Sequence, residues 1–122
     1  MTLRGEIKAA KDRWGVDVEG NTYFEVSDIL GEYEWEESKM VASNHKGGGW
    51  HLPTKNELNR VYKNLVKSGI SDLGKEDHWS STEKEINYAW YQRFSDGLPL
   101  SHYTKNSRHW VRAVRSFKED VQ

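Results

Sequence analysis

Apolar positions along this chain change their spacing three times, and each spacing predicts a different element. Trp14, Val16 and Val18 alternate with polar residues, Glu19-Gly20-Asn21 carries turn chemistry, and Tyr23 to Val26 returns. Side chains of a strand alternate between faces, so this pattern predicts a hairpin over Trp14 to Val26. Ser27 to Gly31 reads as a connection. From Glu32 to Asn44 the spacing becomes helical, with Trp35, Ser38 and Ala42 on a narrow inner face. Glu32, Glu34, Glu36 and Glu37 crowd its start while Lys39, His45 and Lys46 sit toward its end, as the helix dipole favours. Gly47-Gly48-Gly49 is expected to end this helix, since glycine takes the left-handed cap without steric cost.

The stretch Gly47 to Leu65 organises the rest. Trp50-His51-Leu52-Pro53 is predicted to be extended, because the residue before a proline is pushed away from the helical region. Thr54 is a helix N-cap with Glu57 three residues on, which is a capping box. Leu58, Val61, Tyr62 and Leu65 then recur on one helical face, and Gly69 supplies the stop. The expected helix covers 54–68, and a loop follows from Ile70 to His78 in which Ile70 and Leu73 turn inward.

From Trp79 onward the pattern is that of strands. Trp79 to Thr82 is one, and Ala89 to Phe94 is another, with Trp90, Gln92 and Phe94 on one side and Ala89, Tyr91 and Arg93 on the other. Ser95-Asp96-Gly97 turns the chain. Leu98 to Thr104 returns, and Pro99 marks it as an edge strand because proline cannot donate to a ladder. Lys105-Asn106-Ser107 turns again into a closing strand, His109 to Phe117. Within it Val111-Arg112-Ala113-Val114-Arg115 does not alternate, so either both faces are partly buried or a bulge resets the register. A buried Arg112 or Arg115 needs a carboxylate or backbone acceptors, and at least one of them is expected in a structural ion pair.

Composition narrows this picture. A length of 122 residues predicts one domain, with 1–13 as an N-terminal arm and 118–122 as a solvated tail. Six Trp, six Tyr and three Phe predict a core built on a few large rings and exclude a disordered chain. A net charge of −1 gives no support for nucleic-acid binding. The absence of cysteine excludes disulfides, thiolate metal sites and cysteine nucleophiles. MTLRGEIKAAKDRW has no apolar segment of a signal peptide, and no apolar run suits a bilayer, so no membrane insertion is expected. The expectation is a chain that is cytoplasmic when made, with a virion or lysis as its route if it works outside a cell.

Candidate chemistry is sparse. His45, His51, His78, His102 and His109 have no ligand spacing such as His-x-x-x-His, so no metal is expected, and His51 is expected to bond to backbone. Glu34, Glu36 and Glu37 read as a solvated first helical turn. Ser80-Ser81-Thr82 has no base in a recognisable arrangement, and the three glycines lack the Gly-Lys-Ser/Thr of a phosphate loop. Trp50, Trp79, Trp90 and Phe94 fit an aromatic core better than a sugar-stacking platform. The surface set with recognition chemistry is Tyr88, Tyr91, Arg93, Asp96, Leu98, His102, Tyr103 and Asn106, where tyrosines mix with short polar residues as in paratopes.

Several stretches occur together in order. They are Trp35-Glu36-Glu37, Gly48-Gly49-Trp50-His51-Leu52-Pro53-Thr54 with Glu57-Leu58, Trp79-Ser80-Ser81-Thr82, Ala89-Trp90 with Phe94, Gly97, and Val111-Arg112-Ala113-Val114-Arg115. From Trp35 to Phe117 the chain thus resembles a bacterial and phage family of C-type-lectin-like domains of unassigned function. The resemblance implies an α+β fold with two helices on a twisted antiparallel sheet, and a ligand face on the last strands. The variable proteins of diversity-generating retroelements use the same fold, and their C-terminal strands look similar to Trp79–Arg115. Some family members look like adhesins or carbohydrate binders, and others sit in phage particles. Formylglycine-generating enzymes share the fold but need cysteine. The Glu-Pro-Asn, Gln-Pro-Asp and Trp-Asn-Asp tripeptides of calcium-dependent animal lectins are not in the sequence.

The resulting expectation is a non-enzymatic module, without cofactor, that binds a glycan or protein surface through the C-terminal strands. The alternative is a phage virion structural or decoration protein working as a homo-oligomer among virion proteins.

Overall fold

A capping box is a local device, and it forms as its spacing requires. The computed structural model describes residues 14–17, 22–67 and 76–118. In it the Thr54 hydroxyl accepts from the Glu57 N–H at 3.1 Å, and a Glu57 carboxylate oxygen accepts from the Thr54 N–H at 2.9 Å. Helix α2, Lys55–Lys67, starts there and turns Leu58 and Val61 into the core. Replacing Thr54 with alanine is expected to cost about 1 kcal/mol, read as a lower urea midpoint with unchanged slope.

The strands are β1 (Trp14–Asp17), β2 (Thr22–Val26), β3 (Gly31–Tyr33), β4 (Asp77–Glu85), β5 (Tyr88–Arg93), β6 (Leu98–Leu100), β7 (His109–Val111) and β8 (Val114–Lys118). They form a three-stranded sheet in the order β1-β2-β8 and a five-stranded sheet in the order β3-β7-β4-β5-β6. All pairs are antiparallel except β4 with β7. Helix α1, Trp35–Ser43, packs on β3, β4 and β7, and α2 packs on β1, β4 and β5. Two helices on a mixed, mostly antiparallel sheet make an α+β architecture. The expected 1–13 arm, the hairpin turn at 18–21, the Gly69 stop with Ile70 and Leu73, and 119–122 lie outside the described residues.

Two boundaries differ from expectation. The first helix starts at Trp35, not Glu32, because Gly31 to Tyr33 pairs with Val111 to His109 as a strand. The same helix stops at Ser43, before the glycines. A short 3-10 turn, His45–Gly47, intervenes. Gly47, Gly48 and Gly49 then take φ of 84°, 114° and 82°, a run of positive values that reverses the chain into Trp50. Trp35, Ser38 and Ala42 are the buried face of α1, as their spacing predicts.

The closing strand is two strands. β7 belongs to the five-stranded sheet and β8 to the three-stranded one, with Arg112 and Ala113 between them. Ser27 holds this crossover. Its hydroxyl accepts from the Ala113 N–H at 2.8 Å, its N–H donates to the Ala113 carbonyl at 2.9 Å, and its carbonyl accepts from Arg112 at 3.0 Å. Arg112 is thereby buried on a backbone acceptor. Arg115 instead pairs with the buried carboxylate of Glu25, and its Nε donates at 3.0 Å. The expected ion pair is therefore Arg115–Glu25.

His51 bridges Val114 through two backbone hydrogen bonds of 2.9 Å each. Its ring, expected to bond to backbone, bonds to the Glu57 carboxylate instead, at 2.9 Å. The same carboxylate thus serves the cap and the turn. That hydrogen bond raises the His51 pKa above its ordinary value. Burial pushes Glu57 up, but the bonds from His51 and Thr54 outweigh it and leave its pKa lowered.

The core lies between the helices and the five-stranded sheet. It gathers Trp35, Ala42, Trp50, Leu52, Trp79, Ala89, Tyr91, Val111 and Ala113. Trp50 and Trp79 are core rings, and Phe94 is buried on the opposite face against His78 and Tyr62. Trp90 is only half-buried, with the Lys55 ammonium 3.7 Å above its ring.

Candidate functional site

Register decides which side chains can act together. Asp77 pairs with Arg93, and Arg93 with Leu98, so these three form one cross-strand row over β4, β5 and β6. Two residues further along, Trp79 pairs with Tyr91 and Tyr91 with Leu100 on the same face. The face that carries the aromatic core thus ends in a charged row with one leucine. The loop after β6 packs His102 and Tyr103 against Tyr91.

Tyr103 is an exposed ring of the cluster, 45% accessible. It stacks on Tyr91 with centroids 5.5 Å apart and planes 26° from parallel, and it leans on His102 at 4.5 Å. The Tyr91 hydroxyl lies 3.1 Å from Nδ1 of His102. Below, His109 stacks on Tyr91 at 4.8 Å and meets the edge of Trp79 at 4.6 Å. Each ring is therefore fixed by the next, from the buried indole out to the exposed phenol.

At the rim, Arg93 grips Asp96 with two bonds, Nε at 3.1 Å and Nη2 at 2.8 Å. Asp96 also accepts from the Leu98 N–H at 3.1 Å, which closes the turn. These bonds hold the Asp96 carboxyl below its ordinary pKa. Asp77 behaves differently. Burial raises its pKa, against the pull of Arg93 and His102, and Asp96 adds to the rise. Burial also pushes the Tyr91 phenol well above its ordinary pKa, with Asp77 and Tyr103 adding to it.

Gly97 shapes this end of the sheet. Its φ of 78° needs glycine, and a Cβ there would stand 2.3 Å from the Tyr62 ring. The turn and the helix are therefore packed backbone against ring.

The predicted surface set is divided by this geometry. Arg93, Asp96 and Leu98 meet at one end of the five-stranded sheet, and His102 and Tyr103 pack on Tyr91 in the middle of β5. Tyr91 joins them but as a buried member, 1% exposed, so its expected surface position is corrected. Alternation alone places Tyr91 on one of two faces, and that face is the one Trp79 occupies. Tyr88 lies at the opposite end of β5, about 16 Å along the strand, and bridges Thr104. Asn106 lies on that side too, next to Lys105, whose N–H donates to Asn87 at the hairpin tip. The expected strand from Leu98 to Thr104 ends at Leu100, which frees His102 and Tyr103 to fold over.

Two members were missed by the sequence reading. Asp77 fell in a stretch read as loop, although it stands two residues before Trp79 and so shares its face in an extended strand. His109 was read as an ordinary strand residue.

Among the described residues no group of His, Cys, Asp and Glu is arranged to hold a metal ion. No described helix is long and apolar enough to cross a membrane. A concavity runs along α2, lined by Asn56, Asn59, Arg60, Lys63 and Asn64. Compared with known proteins, the chain matches no family model and no curated protein.

Proposed function

We propose that the chain is a non-enzymatic recognition module of C-type-lectin-like fold, which binds a glycan or protein surface through the end of its five-stranded sheet. The observation that carries the reading is the Tyr103 ring. A large ring that is nearly half exposed has ordinarily lost nothing by being mobile. This one is held by Tyr91 and His102, over a buried stack that reaches Trp79. A pre-ordered aromatic surface has a low entropic cost of binding, which is how tyrosine acts in recognition surfaces. The charged row beside it supplies directional partners. Two helices on a mostly antiparallel sheet are compatible with the C-type-lectin-like arrangement and support that part of the reading.

The test is partner pull-down and a glycan array with the full chain and with Tyr103→Ala. The variant is expected to lose about tenfold or more in affinity for whatever the parent binds, as central aromatic residues of interfaces do. Unchanged affinity in a variant that melts like the parent overturns the reading.

A further inference from the structure

We propose that the concavity along α2 is a second binding site, for a sugar that carries a carboxylate. It is separate from the Tyr103 surface. Asn59 in its wall bonds to Gln92, whose side chain points to the opposite face of β5 from Tyr91.

Helical spacing gathers the site. Asn56, Asn59, Arg60, Lys63 and Asn64 recur three and one residues apart, which puts them on one face of α2, away from Leu58 and Val61 in the core. They line one concavity of about 430 Å³, a volume within the range of small-molecule sites. A helix face that only meets water is served best by lysine, glutamate and arginine, which are strong helix formers. All three asparagines of α2 stand on this face instead, although asparagine weakens a helix by competing for its backbone.

Two of these carboxamides have a fixed orientation. Gln92 is buried, and its Nε2 donates to the Gly97 carbonyl at 2.9 Å and to Oδ1 of Asn59 at 3.0 Å. The backbone carbonyl decides which end of Gln92 donates, and Gln92 then decides which end of Asn59 accepts. Nδ2 of Asn59 is left as a donor without a partner among the described residues. Asn64 is fixed the other way round. Its Nδ2 donates to the Arg60 carbonyl at 2.9 Å, which leaves Oδ1 as an acceptor. The cations are uncommitted too, since neither Arg60 nor Lys63 is in an ion pair among the described residues.

This set of groups selects a ligand. The described lining holds two cations and no carboxylate, so it favours an anion. The guanidinium fork of Arg60 matches a carboxylate at two points. Each carboxamide offers a donor end and an acceptor end, and a sugar hydroxyl can answer either. No aromatic ring is among the described lining residues, so a nucleic-acid base has no stacking platform there. No aliphatic side chain is among them either, so an apolar molecule has nothing to bury against. A uronic acid carries its carboxylate and its hydroxyls on one ring and uses both halves of the lining.

The experiment is an NMR titration of the full chain with methyl glucuronide, its neutral counterpart methyl glucoside, N-acetyl-glutamate methylamide and sodium sulfate. The expected result is saturable shifts of the Asn56, Asn59 and Asn64 side-chain amides with the glucuronide. Affinity should be about tenfold weaker for the glucoside and, with the glucuronide, in Arg60→Gln. Asn56→Asp puts a like charge in the lining at a place where the helix dipole favours it, so it should weaken the glucuronide without lowering the melting temperature. Tyr103→Ala should leave glucuronide affinity unchanged, which separates this site from the recognition surface above. Equal binding of glucuronide and glucoside, full affinity in Arg60→Gln, or no binding of the glucuronide overturns the proposal. So does loss of glucuronide binding in Tyr103→Ala, which would move the sugar to the other face of the sheet. Sulfate or the glutamate derivative binding as well as the glucuronide overturns it in favour of a simple anion site.

Discussion

Replacing Trp79 with alanine is expected to remove about 3–5 kcal/mol of stability, the range for truncating a large buried ring. Trp79 is fully buried in the core cluster. Its indole N–H donates to the Tyr33 carbonyl at 2.8 Å, which ties β4 to the end of β3. Its ring meets the edges of Tyr91 at 6.0 Å and His109 at 4.6 Å. Truncation leaves a cavity and also removes the short donor of the Tyr33 carbonyl, which keeps only the longer bond from the Ser38 hydroxyl at 3.5 Å, and the two costs add because they act on different groups. Trp79→Phe separates them. It keeps most of the packing and loses the donor, so a loss of about 1–3 kcal/mol is expected. Urea unfolding of both variants measures the effect. A loss below about 1 kcal/mol in the alanine variant would show that the core collapses around the missing ring. The consequence also reaches the site, since Tyr91 and Tyr103 are stacked outward from this indole.

What was legible in the sequence was what the chain decides locally. The capping box needs residues only three apart, and α2 begins where Thr54 and Glu57 place it. The α1 face of Trp35, Ser38 and Ala42 follows from helical spacing alone. The errors arose where distant segments decide. Glu32 to Glu34 has the acidic character of a helix start, but β7 captures Gly31 to Tyr33 as a strand. The broken alternation from Val111 to Arg115 signals two buried faces or a reset register, but not that the chain changes sheets at Arg112, because the hydroxyl that receives the Ala113 N–H is on Ser27, 86 residues away.

The site shows the same division. Alternation sorted β5 into two faces correctly in kind, since Tyr91 and Gln92 point to opposite sides. It could not say that the Tyr91 side is the buried core or that Asp77 continues that row. Both facts come from the pairing of β4 with β5, which has an irregular register between Trp79 and Glu83. Arg93, Asp96 and Leu98 nonetheless meet in one turn, and His102 and Tyr103 pack together on Tyr91. They follow one another through a turn and a short return strand, so sequence proximity becomes spatial proximity.

Lowering the pH from about 6.5 toward 4 is expected to destabilise the fold by several kcal/mol, on the order of what two buried neutral histidines contribute through linkage. His78 is fully buried and stacked on Phe94 at 4.0 Å. Its Nδ1 is 2.8 Å from the Glu76 carbonyl, which fixes a neutral tautomer, and Nε2 makes no hydrogen bond. Burial, with the Arg112 guanidinium next, lowers its pKa to about 3. His109 is lowered to about 4, mainly by burial, against a small upward pull from Glu32. An unfolded chain protonates both rings from about pH 6.5 downward. The fold does not, so the unfolded state takes up protons first and stability falls as pH drops. The His51–Glu57 pair has the opposite limb. Its histidine pKa is raised, so that contribution is complete below pH 6.5 and is lost as pH rises through the raised value. Together these place the stability maximum near neutrality on the acid side. Urea midpoints across the pH range measure the dome, and ring-proton titration shows whether His78 and His109 stay neutral above pH 5. His109→Gln should flatten the acid limb, because it removes one of the two linked protons. An acid limb unchanged in that variant, with both rings titrating near 6.5 in the parent, would mean that protonated histidines are accommodated in the core. A protonated His109 would place a cation against the Tyr91 and Tyr103 rings, so the same titration tests whether that stack stays neutral.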